Sequence, residues 1–201
     1  FVIKPAHWSL PLDLTTGAPA FASTQRLMGA AADASQGDFG ESIDFVIART
    51  PEPKAFSAAL FADTQPADHQ ELAYLRRAMK KMSHNHKFSF GLGLGDIAAD
   101  NLSIYEEYQR EIAQLGIPVW HIPGNHDHDS NAVDLRSRLK TWRSRFGAPT
   151  YAFEYSGALF IMLDNVKVVA GGGYVGEIGA AGLAFVRNLL AHTPTEKLVI
   201  V

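Results

Sequence analysis

Hydrophobic positions change their period along the chain, and the changes divide it into elements. From about residue 43, short apolar runs alternate with longer amphipathic stretches. "IDFVIA" and "AFSAALFAD" read as strands. In "DHQELAYLRRAMKKM", Leu72, Leu75, Met79 and Met82 recur at intervals of three and four, as on one face of a helix. "FSFGLGLGD" returns to strand. "SIYEEYQREIAQLG" predicts a helix opened by a capping box, Ser103 to Glu106, and closed by Gly116 ahead of Pro118. "IPVWHI" predicts a strand, and Leu135, Leu139, Trp142 and Phe146 mark a further helix. "TYAFEYSGALFIMLD" predicts two strands in a hairpin turning at Ser156-Gly157. "EIGAAGLAFVRNLLAH" predicts a helix and "KLVIV" a buried strand. Strands alternating with helices predict an α/β fold built from βαβ units.

The pattern before residue 43 is different. Residues 1–8, "FVIKPAHW", alternate and are aromatic-rich, as expected for the end of a preceding β-domain. Residues 9–42 hold Pro, Gly, Ser, Thr and Ala with little periodicity, as in a linker or irregular segment. Residues 43–201 then form the main domain. The chain opens on Phe1 and stops within a strand-like run, so it is expected to be a piece of a longer protein.

Composition narrows the possibilities. The chain has 201 residues, 47% hydrophobic and 19% charged, enough to bury a core. A net charge of −3 gives no sign of a nucleic-acid surface, and no apolar run is long enough to span a bilayer. The absence of cysteine excludes thiolate metal sites, disulfides and cysteine nucleophiles. No Gly-x-Ser-x-Gly elbow occurs, which argues against a serine hydrolase. "GGGYVGEIG" lacks the spacing of a P-loop and is expected to border a cleft as a loop. None of these features sets the oligomeric state.

Candidate chemistry gathers where the predicted strands end. The first ends "LFADTQ" and presents Asp63 and Gln65. The second ends "LGLGDIAADN" and presents Asp96. The third ends "IPGNHDHD" and presents Asn125, His126 and Asp127. Asp63, Asp96 and Asn125 follow one another at intervals of 33 and 29 residues, each about one strand-helix unit. Successive units of a parallel sheet deliver such side chains to one edge, where ligands bind in α/β folds. Carboxylates converging there repel unless a cation sits between them, and Asp, Asn and His donors suit Mn, Fe, Zn or Ni.

"FADTQ", "GLGDIAADN" and "IPGNHDHD", in this order and spacing, resemble the first three motifs of the calcineurin-like metallophosphoesterases: Asp-x-His, Gly-Asp, and Gly-Asn-His-Asp/Glu. The resemblance runs from about Ala55 to Val201. "FVIKPA" and "YAFEYSGALFIMLDN" further resemble bacterial members with a small N-terminal β-domain, which favours a periplasmic or secreted location over a cytoplasmic one. The resemblance implies a layered fold of β-sheets with flanking helices and a metal site at the strands' C-terminal ends. It implies hydrolysis of a phosphoester substrate by a hydroxide bridging two divalent metal ions. Asp63 would bind the first metal, Asp96 would bridge both, and Asn125 would bind the second. His126 would contact the phosphate and protonate the leaving oxygen, with Asp127 orienting it. Gln65 stands where many members carry a metal-binding histidine. Its neutral oxygen predicts a labile first metal, with manganese preferred over zinc. The family's later histidines are not in this sequence, and "KLVIV" resembles the strand that precedes the first of them. A catalytically degenerate binding scaffold is the alternative.

Other polar residues have plainer expectations. His121 is expected to be packed, His128 to be an exposed turn residue, with approach to the phosphate as the alternative, and His84 and His86 to lie in a polar loop. His192 is expected near a helix end, and Arg76, Arg77, Lys80 and Lys81 on a solvated helix face. Asp100 and Asn101 are expected as caps or rim residues, Asn101 the better candidate for supporting the site. Asp164 is expected beside the same rim.

Overall fold

A computed structural model describes residues 3–19, 47–85, 87–130, 132, 137–169 and 173–201. Trp8–Ser9 (β1) pairs antiparallel with Ala48–Arg49 (β2). There follow Ala58–Phe61 (β3), Leu72–Asn85 (α1), Phe90–Leu94 (β4), Tyr105–Ala113 (α2), Val119–Ile122 (β5) and Lys140–Phe146 (α3). Tyr151–Tyr155 (β6), Ala158–Met162 (β7), Val166–Val168 (β8), Tyr174–Gly176 (β9), Ala180–Ala191 (α4) and Leu198–Ile200 (β10) complete the chain.

Two three-stranded sheets organise these elements. β3, β4 and β5 lie side by side, all parallel. In the second sheet β7 pairs antiparallel with β6 and parallel with β10. Side-chain alternation explains how they stack. On β4, Phe90 and Leu92 point one way and Gly91 and Gly93 the other. Phe90, Leu92 and Trp120 form one core with Tyr151, Phe153, Phe160 and Met162 of the second sheet. Phe153 stacks on Trp120 at 4.3 Å and on Phe160 at 5.0 Å between ring centroids, joining the sheets. The opposite face of the first sheet packs Ala59, Phe61 and Val119 against Leu72, Leu75 and Met79 of α1, Tyr105, Tyr108 and Ile112 of α2, and Trp142 and Phe146 of α3. The outer face of the second sheet packs Ala152, Leu159 and Ile161 against Leu189 of α4. The layers therefore run helices, sheet, sheet, helix, as expected for this α/β class.

The two glycines of β4 make room for β5. A Cβ at Gly93 would meet the His121 ring at 2.3 Å, and one at Gly91 would press on Val119 and Phe61. His121 is buried in that space, against Tyr108 and Phe146.

Several elements differ from their sequence pattern. The capping box at Ser103 is absent, because residues 102–104 wind as a 3-10 turn and Asn101 caps it by accepting from the Ser103 amide. α1 begins at Leu72, since the Asp68 side chain accepts from the Gln70 and Glu71 amides and holds those residues in a turn. The hairpin turns at Ser156 and Gly157 as expected, both at positive φ (48° and 81°), the pattern of a type I′ turn. Lys4 bridges to Phe153, and its ammonium reaches Glu52 at 3.1 Å and the Glu154 carbonyl at 2.7 Å. Lys4 and Ala6 are thus tied to β6 of the second sheet. The linker expected over 9–42, the strand at 43–48, the helix face at Leu135 and the glycine run at 171–179 each fall wholly or partly outside the described residues, as does His86.

Candidate functional site

The loops leaving β3, β4 and β5 emerge at one edge of the parallel sheet and interlock through their backbones. The Asp63 amide donates to the Gly95 carbonyl at 3.4 Å and the Gln65 amide to the Asp96 carbonyl at 3.1 Å. Gly95 and Gly124 meet face to face. A Cβ on Gly95 would lie 2.9 Å from Gly124 Cα, and one on Gly124 would lie 2.1 Å from Asp96 Oδ1. Both glycines of the Gly-Asp and Gly-Asn pairs are therefore required by contact. Among the described residues six non-glycines have positive φ, and Asp63 (50°), Gln65 (33°), Asp96 (51°) and Asp100 (64°) are four of them. Left-handed backbone at such positions costs of order 1 kcal/mol each and gathers at ligand sites.

The side chains of these loops converge. Gln65 Nε2 donates to Asp96 Oδ2 at 3.0 Å and to Asp63 Oδ1 at 3.4 Å, so one amide spans both carboxylates. Asp96 Oδ1 accepts from the His126 amide at 3.0 Å. Asn125 begins a 3-10 turn, Asn125–Asp127, and its side chain has no hydrogen-bond partner among the described residues. Asp63 is exposed; Gln65, Asp96 and Asn125 are half-buried. Among the described residues no three of His, Cys, Asp and Glu converge closely enough to hold a cation by themselves. The side chains these loops carry are two carboxylates and two carboxamides, an all-oxygen donor set whose chemistry would fit a hard divalent ion.

His126 and Asp127 divide differently from expectation. The Asp127 carboxylate does not touch the His126 ring. It is fully buried and accepts from the Ile97 amide at 3.1 Å, the Ala98 amide at 3.3 Å, the Gly124 amide at 2.8 Å and the Tyr105 hydroxyl at 2.9 Å. Burial pushes its pKa above the ordinary carboxylate value, against the pull of those donors. Its role is to tie the β5 loop to the β4 loop. The group beside the His126 ring is Asp100, whose Oδ1 lies 3.0 Å from Nδ1. Asn101 instead turns away, donating to the Ala67 carbonyl.

The family model for calcineurin-like phosphoesterases matches residues 56–198. The chain belongs to the calcineurin-like phosphoesterase family. Metal-dependent phosphoester hydrolysis is that family's chemistry. Among solved structures the chain is similar to the purple acid phosphatase PPD1 isolated from yellow lupin (Lupinus luteus) seeds, at 16% identity and a TM-score of 0.49. The likeness covers 75% of this chain and 32% of the lupin chain, so the chain spans about a third of that protein's length. No curated protein matches it.

The other polar residues of the chain take varied places. His121 is packed as expected, and burial holds its pKa down to about 3. His128 is half-buried and takes a hydrogen bond from Arg138, contrary to the exposed residue expected. Asp164, at the end of β7, pairs with the same Arg138 at 2.7 Å. His84 lies in the last turn of α1, where its ring meets the Lys80 carbonyl, so the helix runs through the loop expected there. His192 follows α4, and Arg76 joins α1 to Glu107 and Glu111 of α2. Arg138 and Tyr105 belong to no motif that marks them in the sequence. The signal for Asp100, expected as a rim residue, is its place four residues beyond Asp96 on the same loop. No helix among the described residues is long and apolar enough to cross a membrane.

Proposed function

We propose that this chain carries catalytic residues of a metal-dependent phosphatase or phosphodiesterase. The observation that carries this is the convergence of Asp63, Gln65 and Asp96 in one hydrogen-bonded cluster with the His126 backbone, at the ends of three parallel strands. Asp63, Gln65, Asp96 and Asn125 would hold two divalent cations, with Asp96 between them and manganese favoured by the oxygen donors. The chemistry such cations supply when bound is neutralisation of the phosphoryl oxygens and acidification of the attacking water. The rest falls to the chain. Asp100 takes His126 Nδ1, which leaves Nε2 to meet a substrate oxygen. As the ester P–O bond breaks, His126 gives its Nε2 proton to the departing oxygen, and Asp100 stabilises the imidazolium that exists before the transfer. Asp127 keeps the two loops in register throughout.

The test is hydrolysis of p-nitrophenyl phosphate and bis(p-nitrophenyl) phosphate by the full-length protein, with and without added Mn²⁺. Manganese-dependent turnover that falls at least a hundredfold in Asp96→Asn supports the proposal. Absence of turnover in a protein that also binds no metal would favour the scaffold alternative.

A further inference from the structure

The parallel sheet also carries a cavity at its far end. Phe90 opens β4 and Pro118 precedes β5, and both line a space of about 190 Å³. Asp96 and Asn125 follow the opposite ends of these strands, about 13 Å away by the rise along β4. The walls are aromatic: Trp8, Trp120, Phe153 and Tyr155 surround the space with Phe90. These rings brace one another. Phe90 meets Phe153 edge-on at 5.6 Å and Tyr155 at 5.0 Å, and Trp120 stacks on Phe153. Thr50 is exposed and Trp8 half-buried, so the space opens to solvent on their side. Polar groups in the lining fall into two kinds. Lys4 and Glu52 form a buried pair, their side chains 8% and 3% exposed. The Lys4 ammonium donates to Pro5, Glu52 and Glu154, and the second Glu52 oxygen accepts from the Ser156 amide. The pair cancels its own charge and leaves no Lys4 donor for an anion. Ser9 and Thr50 bond each other at 2.7 Å and reach the Ala48 carbonyl. The Trp8 indole N–H and the Ser89 hydroxyl differ from these. Both side chains line the cavity, and neither group has a hydrogen-bond partner among the described residues.

We propose that this cavity is a second ligand site, which takes a small, neutral, planar aromatic molecule carrying a hydrogen-bond acceptor. Size sets the first limit. An apolar cavity of about 150 Å³ takes up benzene, so this one holds a single substituted ring. Charge sets the second. An ion inside would face aromatic walls and a pair that is already neutral, and would lose its hydration with no partner in place of water. Polarity sets the third. The Trp8 N–H can only donate and calls for an acceptor on the ligand, while the Ser89 hydroxyl can serve a donor or an acceptor beside it. A ring held among these walls gains edge and face contacts as well as burial.

The experiment uses the full-length protein, isotope-labelled at tryptophan, with benzamide as the probe. The indole N–H signal absent from Trp8→Phe identifies Trp8. Benzamide should move that signal saturably, with half-saturation at or below about 1 mM. Benzoate and benzylamine, of similar shape but charged, should bind about tenfold more weakly or worse. Trp8→Phe keeps a ring and removes the donor, and should weaken benzamide about tenfold in a ligand-observed titration. Thr50→Phe sets a ring across the mouth at an exposed position, so the fold is spared, and should abolish the shift. A Trp8 signal that benzamide leaves unmoved, a shift that rises without saturating, benzoate binding as tight as benzamide, or a full shift in Thr50→Phe would each overturn the proposal. Binding is read directly, so the result stands whether or not the protein hydrolyses phosphoesters.

Discussion

Nδ1 of His126 lies 3.0 Å from Oδ1 of Asp100, while the neighbouring Asp127 turns its carboxylate into the protein interior. The two acids should therefore fail in different ways when changed. Asp100→Asn is expected to lower kcat about a hundredfold, within the usual range for general acid–base groups, and to leave the melting temperature nearly unchanged. Asp127→Asn turns an NH₂ toward amides that now donate to a carboxylate, and is expected to cost about 2 kcal/mol of stability. Paired measurements of kcat and thermal unfolding separate the two effects.

The contact between Gly124 and Asp96 predicts a site-specific lesion. A methyl group at position 124 would fall 2.1 Å from Asp96 Oδ1 and 2.4 Å from the Asp96 amide nitrogen, so backbone must shift. Gly124→Ala is expected to lower bound metal and to reduce manganese-dependent turnover more than tenfold. Metal analysis after gel filtration is the direct check. A variant with full metal content and normal activity would contradict the close packing of these two loops.

His121 sets a pH dependence of stability. Its pKa in the fold is about 3, against an ordinary value of 6.5, and burial is the cause. Between these values the unfolded chain binds a proton at this residue and the folded chain does not. Stability therefore rises with pH across that window and is lost as pH falls from about 6.5 toward 3, by up to about 1.4 kcal/mol per unit. His121→Leu should flatten this part of the profile. Urea unfolding at several pH values measures the slope for both proteins.

Gln65 offers a carboxamide where an imidazole is common in the family. Gln65→His is expected to slow loss of the first cation and to shift preference from manganese toward zinc. Metal retained after dialysis, measured for both proteins, decides it. A wild type that already keeps zinc under the same conditions would count against a labile site.

Some of this was legible in the residues themselves. Strand ends are local: Phe61 to Asp63, Leu94 to Asp96 and Ile122 to Asn125 each mark a change from apolar run to turn, and parallel topology does the rest. The Ser156-Gly157 turn was legible for the same reason. The division of labour between Asp100 and Asp127 was not, because it depends on which carboxylate the β4 loop covers. Four donors from Ile97, Ala98, Gly124 and Tyr105 close over Asp127, and their approach depends on the packing of α2 against the sheet. Capping at Asn101 rather than Ser103 was hidden likewise, since a 3-10 turn shifts the cap by two residues.

The amides that grip Asp127 belong to two separate loops, those of Ile97 and Ala98 buried and that of Gly124 partly buried. The spacing between the β4 and β5 sides of the cleft is thus set by a knot inside the protein and not by whatever the cleft holds. In the proposed reaction, turnover should therefore demand little rearrangement of the main chain, and capture of a cation should order few residues that were not already ordered.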